Sequence, residues 1–392
     1  MVRRGGQLGW RGHRRALALV SGLALATVAG ATRAAPVNVP GLLDPLPATM
    51  TSPAAEGLLL GSESPAVARP TPTMVALTTT ATSTAPVLRK AAWGGQRSGL
   101  PWASGASSGS SDLESWRGRR LDVRTGFLAI RQGWAELTQV SWLRDWVAAG
   151  GYPVVAVGLL PESARGQLAQ CANGAFDAHI REIGRDLVAV GAGNAILRLG
   201  WEANRMGGFP WSITGDPGPY KGCFRRWVQV LRTVPGQLFT FDWNMGSRGS
   251  LPYHVDQAYP GAEYVDVIGV QYYDRCPPAL TQADWDKRYN SYNTTTGSPY
   301  GLGKWLAYAR SKGKRLSVPE WGIGGPTDAC ARPGVDNPLF VENMFRFFRV
   351  NAASIAYEAY FNGALPTGSH VIAPPDDNPL SWAKYNALWG RR

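Results

Sequence analysis

The 392-residue sequence is poor in charged residues and in the side chains that bind metals. Charged residues make up 17% of the chain, and there are only four cysteines and four histidines. The histidines are far apart, and neither they nor the cysteines show the short paired spacing that holds zinc. No glycine-rich phosphate loop is present either. We therefore expect no metal centre and no cofactor.

A basic face for nucleic acid is also missing. The formal net charge is +12, but six arginines precede residue 36: Arg3, Arg4, Arg11, Arg14, Arg15 and Arg33. Without these six the surplus falls to +6, spread over roughly 350 residues, and no run of Lys or Arg alternates with aromatic residues. This distribution argues against a nucleic-acid partner.

The chain has only one long apolar run, and it lies near the N-terminus. Residues 1–15 are rich in arginine, residues 16–31 are almost entirely Ala, Leu, Val and Gly, and Ala34 and Ala35 follow. This three-part pattern is typical of a secretory signal, here residues 1–35, and the run is short for a membrane span. We expect export to the cell exterior or envelope. An uncleaved anchor is the alternative, and Arg14-Arg15 leaves a twin-arginine route open.

Residues 36–91 contain mainly Pro, Ala, Thr and Ser and bury too little apolar surface to fold. They are predicted to form a disordered linker. Fifteen of the 16 tryptophans lie beyond residue 90, so the folded domain is predicted to span residues 92–392.

Short apolar or β-branched runs alternate with helical patterns in this domain. The eight predicted strands are residues 100–103, 121–128, 153–159, 196–202, 238–244, 266–273, 315–320 and 355–361. The clearest predicted helices are residues 176–190, 224–234, 302–311 and 340–350. Eight such units predict an α/β fold, a (β/α)8 TIM barrel. A doubly wound open sheet is the alternative.

Acidic residues stand where two of these strands end. Glu202 ends the fourth strand and Glu320 ends the seventh, so both are expected at the barrel mouth. Glycoside hydrolysis uses two such carboxyl groups. One protonates the leaving oxygen, and the other attacks the sugar or activates water. A separation of about 5 to 5.5 Å predicts retention of anomeric configuration, and about 6.5 to 9.5 Å predicts inversion.

Strand alternation predicts that Arg198 points into the barrel below these acids. A buried guanidinium needs a carboxylate partner, and Glu320 and Asp242 are the candidates. An arginine beside Glu320 keeps that carboxylate ionised as the nucleophile, while Glu202 holds the proton.

Several short motifs resemble glycoside hydrolase family 26, a clan A family that includes β-mannanases and β-1,3-xylanases. They are Arg198 and Glu202 at a spacing of four, Phe209-Pro210-Trp211, residues 265–273 at the sixth strand, and Pro319-Glu320-Trp321-Gly322. The resemblance covers about residue 121 to the C-terminus. It implies that Glu202 is the acid/base, Glu320 the nucleophile, and Tyr273 a phenol bonded to the nucleophile.

Two positions differ from the family pattern. Trp201 stands where family 26 has His, and Gln271 stands where it usually has Asp. Both are expected to contact the sugar at the reacting ring. The other expected substrate contacts are Asn204, Asn244 and the loop residue Trp211, whose flat ring suits a pyranose face.

Other polar and aromatic residues are assigned to packing. Trp243 and Trp321 are predicted to lie between barrel and helices, and Asp242 and Glu358 to be partners for arginine inside the barrel. Residues 105–109 match a serine-hydrolase elbow, but they are interpreted as a Ser/Gly-rich loop.

The four cysteines allow three disulfide pairings. Cys171 and Cys223 follow strands three and four, and Cys276 and Cys330 follow strands six and seven. Pairing between neighbouring loops predicts Cys171–Cys223 and Cys276–Cys330.

The sequence therefore predicts a secreted retaining endo-glycoside hydrolase that acts on a β-linked polysaccharide of the mannan, glucan or xylan class. We take it to be monomeric. The alternatives are a non-catalytic carbohydrate-binding or envelope protein on the same barrel and an envelope-glycan transglycosylase.

Overall fold

The computed structural model describes residues 97–107, 110–205, 208–274, 277–324, 336–365 and 368–391. The predicted signal and linker, together with Cys276 and Cys330, lie outside these residues.

Eight parallel strands form a closed barrel in sequential order, and β8 pairs with β1 to close it. This confirms the predicted (β/α)8 fold and excludes the open sheet. The strands are β1 Ala103–Ser107, β2 Val123–Phe127, β3 Tyr152–Val157, β4 Ile196–Leu199, β5 Thr240–Gly246, β6 Val267–Tyr273, β7 Arg315–Gly322 and β8 Ile355–Phe361. A separate antiparallel pair follows, β9 Ala364–Leu365 and β10 Gly368–Ser369.

The described helices cover the outside of the barrel. They are α1 Ser110–Arg117, α2 Trp134–Leu137, α3 Leu143–Ala149, α4 Leu168–Ala172, α5 Asp177–Ala189, α6 Gly218–Leu231, α7 Gln282–Tyr289, α8 Leu302–Ser311, α9 Pro338–Val350 and α10 Pro379–Trp389. Short 3-10 helices lie at Glu162–Ala164, Val255–Ala258 and Ala352–Ser354. The connection from β5 to β6 carries only the 3-10 turn at Val255–Ala258.

The barrel interior changes character along its axis. A small apolar cluster closes one end; it is formed by Ala103, Val123, Val154, Ile196, Val267, Ala356 and Tyr357. Buried polar side chains begin next to it, because Tyr357 donates to Asp242 Oδ2 at 2.6 Å. The apolar end therefore serves as the floor for a polar layer that leads to the mouth.

The first strand begins three residues later and ends four residues later than predicted. β1 is Ala103–Ser107, a run of small residues with little intrinsic preference for β structure. Its close fit explains the composition, because a Cβ at Gly105 would lie 2.0 Å from the carbonyl oxygen of Val123. The interpretation of residues 105–107 as loop was wrong. Ser107 is buried and its Oγ has no partner among the described residues, so no base activates it.

The fourth strand is shorter than predicted. β4 ends at Leu199, and a turn follows in which Gly200 has φ +55° and Glu202 has φ +52°. A left-handed backbone ends a strand, and for a residue other than glycine it is uncommon. Glu202 therefore reaches the mouth on a turn rather than on the strand itself.

Glu358 lies outside the barrel, which corrects its assignment as a partner for arginine. Its neighbour Tyr357 faces inward, so strand alternation turns Glu358 toward the helices. There its carboxyl group accepts hydrogen bonds from three buried indoles, Trp102 at 3.2 Å, Trp321 at 2.5 Å and Trp389 at 3.0 Å. One carboxylate thus ties β7, the C-terminal helix and the segment before β1 together at the seam of the barrel.

Cys171 and Cys223 form the predicted disulfide, across 52 positions of sequence. It joins α4 to α6, whose neighbouring Ala172 and Gly222 are also in close contact. Among the described residues, none of the helices is long and apolar enough to span a membrane.

We predict that replacing Glu358 destabilises the fold. Glu358→Leu leaves three buried indole N–H groups without an acceptor, and each costs about 1 to 3 kcal/mol. Glu358→Gln keeps one acceptor oxygen and should lose less. Chemical denaturation followed by circular dichroism measures both.

The matched control is Glu342→Gln on α9, because the Glu342 carboxylate pairs at the surface with Lys384 and Arg346. It should cost no more than about 1 kcal/mol. A loss for Glu358→Leu as small as that of the control would contradict the role given to Glu358.

Candidate active site

A buried ion pair lies at the centre of the barrel mouth. Arg198 is fully buried on β4, and its Nη2 donates to Glu320 Oε1 on β7 at 2.5 Å. Burial, the largest single effect, lowers the pKa of Arg198, but the charge and hydrogen bond of Glu320 together with Tyr357 and Asp242 raise the pKa on balance. Of the two predicted partners, Arg198 therefore bonds to Glu320.

Two further donors fix the orientation of Glu320. Gln271 Nε2 donates to Oε1 at 3.0 Å, and the Tyr273 hydroxyl donates to Oε2 at 3.1 Å. Burial raises the pKa of Tyr273 well above its usual value, and the carboxylates of Glu320 and Glu202 raise it further. Tyr273 therefore remains a protonated donor at any physiological pH, as the resemblance implied.

A second polar layer lies beneath this ion pair. Asn244 Oδ1 accepts from Arg198 Nη2 at 2.8 Å and from Nε at 3.2 Å. Asp242 Oδ2 accepts instead from Ser317 and Tyr357, each at 2.6 Å. Burial raises the pKa of Asp242 to about 6, against the opposing effects of these two hydrogen bonds and of Arg198.

Glu202 occupies the turn after β4. Its backbone N–H donates to the carbonyl of Asn244 at 2.9 Å, which fastens the turn to β5. Its Oε2 accepts from Arg205 Nη1 at 2.8 Å. A Cβ at Gly246 would lie 3.7 Å from Glu202 Oε1 and 3.8 Å from Arg205 Cγ, so both side chains extend over the end of β5.

The two glutamates belong to one site. The charges of both raise the pKa of Tyr273, and both also raise the pKa of Arg205, with Glu202 as the larger cause. Glu202 and Glu320 are each only 7% exposed. The structure thus brings together two shielded carboxyl groups at one barrel mouth. Glu320 pairs with the buried Arg198, and Glu202 pairs with the exposed Arg205.

The predicted aromatic platform is not available. Trp211 is fully buried, its indole N–H donates to the carbonyl of Trp201 at 2.9 Å, and its ring stacks on Phe209. Trp201 is 6% exposed and packs against Phe209, Trp211 and Phe127. Both tryptophans therefore support the turn that carries Glu202, and neither presents a face to a sugar.

The predicted polar contacts to the sugar also have internal partners. Asn204 exchanges two hydrogen bonds of 2.8 Å with the backbone of Gly246, and Asn244 and Gln271 bond to Arg198 and Glu320. All three side chains are buried. In this structure they hold Arg198, Glu320 and the turn that carries Glu202 in place, and a sugar contact by any of them stays a prediction.

Trp243 and Trp321 are fully buried outside the barrel, as predicted. Trp243 packs on Tyr259, and Trp321 packs on Tyr360 and Trp389.

Three residues of the mouth were not identified from the sequence. Arg205 was detectable, because it lies three positions after a candidate acid. Phe127 lies over the Arg198 guanidinium at 5.5 Å, and the His370 ring lies 5.0 Å from that of Tyr273. No local sequence pattern marks Phe127 or His370 as a residue of the mouth. Phe127 reaches it as the last residue of β2, and His370 reaches it from the segment that follows β8. Within the described ranges, no three His, Cys, Asp or Glu side chains are grouped to hold a metal.

Comparison with known proteins supports the resemblance. The model of glycosyl hydrolase family 26 matches residues 194–294, which include Arg198, Glu202 and Tyr273. Over these residues the match supports the predicted relationship to family 26, and it supports a glycoside hydrolase, an enzyme that acts on O-glycosyl bonds. Glu320 lies outside the matched residues, so its assignment depends on geometry. No curated protein matches the chain by sequence.

Solved structures of family 26 enzymes share the barrel. A modular endo-β-1,4-mannanase from Cellulomonas fimi is 19% identical, with a TM-score of 0.54 over 73% of this chain and 70% of that chain. A β-mannanase from Bacteroides ovatus is 14% identical, with a TM-score of 0.51 over 74% and 89%. An endo-β-1,4-mannanase from Bacillus sp. JAMB-750 is 16% identical, with a TM-score of 0.50 over 72% and 86%. At these identities the likeness is one of fold.

We predict that Asp242 makes stability depend on pH. Its pKa is 3.8 in the unfolded chain and about 6 in the fold, so the folded state is favoured while the carboxyl is neutral. That advantage is complete only well below pH 3.8 and is lost as pH rises through about 6. The unfolding free energy of Asp242→Asn should therefore gain on wild type by about 2 kcal/mol between pH 4 and pH 7.5.

Urea denaturation at the two pH values measures this gain. The matched control is Asp256→Asn, because hydrogen bonds from Lys312 and Tyr308 lower the pKa of Asp256 despite partial burial. Its difference from wild type should change with pH in the opposite direction. A flat difference for Asp242→Asn would mean that Asp242 does not titrate in this range.

Proposed function

We propose that this chain is a secreted, retaining, endo-acting glycoside hydrolase of β-linked polysaccharides. The single observation that supports it most is the pair of carboxyl groups at the barrel mouth. One shielded carboxyl group, Glu320, bonds to the buried Arg198 guanidinium, and a second, Glu202, is on a separate turn of the same site. This is the pair that double displacement needs.

In the first step Glu320 acts as the nucleophile. Its carboxylate oxygen forms a bond to the anomeric carbon while the bond from that carbon to the glycosidic oxygen breaks. Glu202, in its acid form, gives its proton to the departing oxygen. The first product leaves with a new hydroxyl group, and the sugar remains esterified to Glu320.

In the second step Glu202 acts as a base. It removes a proton from a water molecule, whose oxygen attacks the anomeric carbon and displaces Glu320. Arg198, Gln271 and Tyr273 again receive the released carboxylate. Glu202 regains its proton, so the site is ready for another turnover.

The comparisons support the substrate class. Three of the neighbours are described as mannanases, and we propose that this chain acts on polymers of the mannan, glucan or xylan class. Export is supported by residues 1–35 and by the Cys171–Cys223 disulfide, which suits an oxidising compartment. Release of reducing ends from a panel of β-glycans tests the activity, with Glu320→Ala run beside wild type.

We predict that azide, a small anion, distinguishes which glutamate is the acid/base and which is the nucleophile. In Glu202→Ala an activated aryl β-glycoside still forms the glycosyl-enzyme, because its leaving group needs no acid. Azide then restores turnover and gives the β-glycosyl azide. In Glu320→Ala azide attacks the substrate directly and gives the α-glycosyl azide. Proton NMR of the products distinguishes the two anomers.

Glu162→Gln is the control, since Glu162 is a partly exposed carboxylate of the loop after β3 that pairs with Arg165. Its activity should be within about twofold of wild type, because exposed pairs contribute little. An α-azide from Glu202→Ala would reverse the roles. Polymer hydrolysis by both alanine variants at wild-type rates would exclude the mechanism.

A further inference from the structure

Arg205 is an exposed cation at the barrel mouth with most of its donors free. Its side chain is 44% exposed. Among the described residues, Nη1 is the only guanidinium nitrogen of Arg205 that has a hydrogen-bond partner, and that partner is Glu202. Because a guanidinium presents five N–H groups in a planar fork, it can accept a second carboxylate or exchange one for another.

The proposed mechanism creates a conflict at this pair. Glu202 must hold a proton to act as an acid, but its Oε2 is the acceptor for the Arg205 guanidinium. Glu202 shares its surroundings with Tyr273 on β6, whose pKa is raised by the charges of Glu320 and Glu202 and lowered by that of Arg198. When Glu202 takes up a proton, Arg205 loses its counter-charge at the point where the substrate enters.

We propose that Arg205 binds a carboxylate of the substrate, carried by a uronic acid residue on the leaving-group side of the cleaved bond. The bound carboxylate replaces Glu202 as the partner of Arg205, and Glu202 takes one proton from solvent. This inference rests on the proposed hydrolysis and specifies its substrate as an acidic β-glycan.

The chemistry of a uronic acid fits the spacing of the pair. In a 4-linked uronic acid the carboxylate is attached to the carbon next to the one that bears the glycosidic oxygen. When Glu202 contacts this glycosidic oxygen, the substrate carboxylate lies beside Glu202. Arg205, which bonds to Glu202, can then reach the substrate carboxylate as well. The proton that Glu202 gains is the one it later donates to the glycosidic oxygen, so the exchange needs no other reactant.

The neighbouring charges also suit an acidic substrate. Gln271 stands beside Glu320, where an aspartate would add a negative charge. Arg198 already balances Glu320. The four charged side chains of the mouth are Arg198, Glu320, Glu202 and Arg205. When Glu202 is protonated, the positive charge of Arg205 is the one among these four that has no counter-charge.

The test uses a matched pair of polymers, an acidic β-glycan with 4-linked uronic acid residues and the same polymer after chemical reduction of its carboxyl groups. The variants are Arg205→Gln and Arg205→Lys. Arg346→Gln is the control, because Arg346 is likewise exposed and pairs with a carboxylate, on the remote helix α9.

We expect wild type and Arg346→Gln to prefer the acidic polymer by about 10- to 100-fold in kcat/KM, the range of one charge-assisted contact. Arg205→Gln should lose this preference and hydrolyse both polymers about equally. Arg205→Lys should keep part of it. Equal hydrolysis of both polymers by wild type, or a preference that survives in Arg205→Gln, would overturn the inference and leave the hydrolase intact.

A binding experiment separates failure of the inference from failure of the proposed function. Glu320→Gln, with and without Arg205→Gln, is titrated calorimetrically at pH 7.5 with acidic and neutral oligosaccharides, in buffers of different ionisation enthalpy. The exchange is supported if the acidic ligand binds more tightly than the neutral one and binding takes up about one proton. Both effects should be lost in the double variant. This result would support the exchange even if no polymer is hydrolysed. Equal affinities without proton uptake refute it.

Discussion

The arrangement of the site depends on the buried ion pair between Arg198 and Glu320. Neither charge is tolerable alone in the centre of a barrel, because removing one partner leaves the other uncompensated at a cost of about 3 to 5 kcal/mol. The surrounding polar groups follow from this. Asn244 accepts from the guanidinium on one side, and Gln271 and Tyr273 donate to the carboxylate on the other. The carboxyl group that we propose as the nucleophile is thereby fixed in position by three donors.

The second glutamate is held in a different way. Glu202 is on a turn with a left-handed backbone, fastened through its N–H to β5 and braced by the buried ring of Trp201. Asn204 adds two hydrogen bonds to Gly246 on the same strand. The turn therefore carries backbone strain, and under the proposed mechanism its carboxyl group changes its proton in each cycle. Its charged partner, Arg205, is exposed and can be exchanged, whereas Arg198 cannot.

Much of the architecture was predictable because strands buried on both faces leave strong apolar runs. The positions of Glu320 and Tyr273 followed from alternation along β6 and β7. Prediction failed where the local sequence is a poor guide to burial. β1 is made of small residues that fit only beside β2 and β8, and Trp211, although in a loop, fills the space beneath Trp201. Glu358 was assigned to the wrong face, because a buried acid with three indole donors leaves no sign in a single sequence.

The most direct test of the account is to identify the residue that becomes covalently attached to the sugar. A 2-deoxy-2-fluoro β-glycosyl fluoride slows both steps and leaves the glycosyl-enzyme long enough for peptide mass spectrometry. The account predicts one label per chain, on the peptide that contains Glu320, and its absence from Glu320→Gln. A label on Glu202 instead, or unlabelled enzyme that keeps hydrolysing polymer in the presence of the reagent, would contradict it.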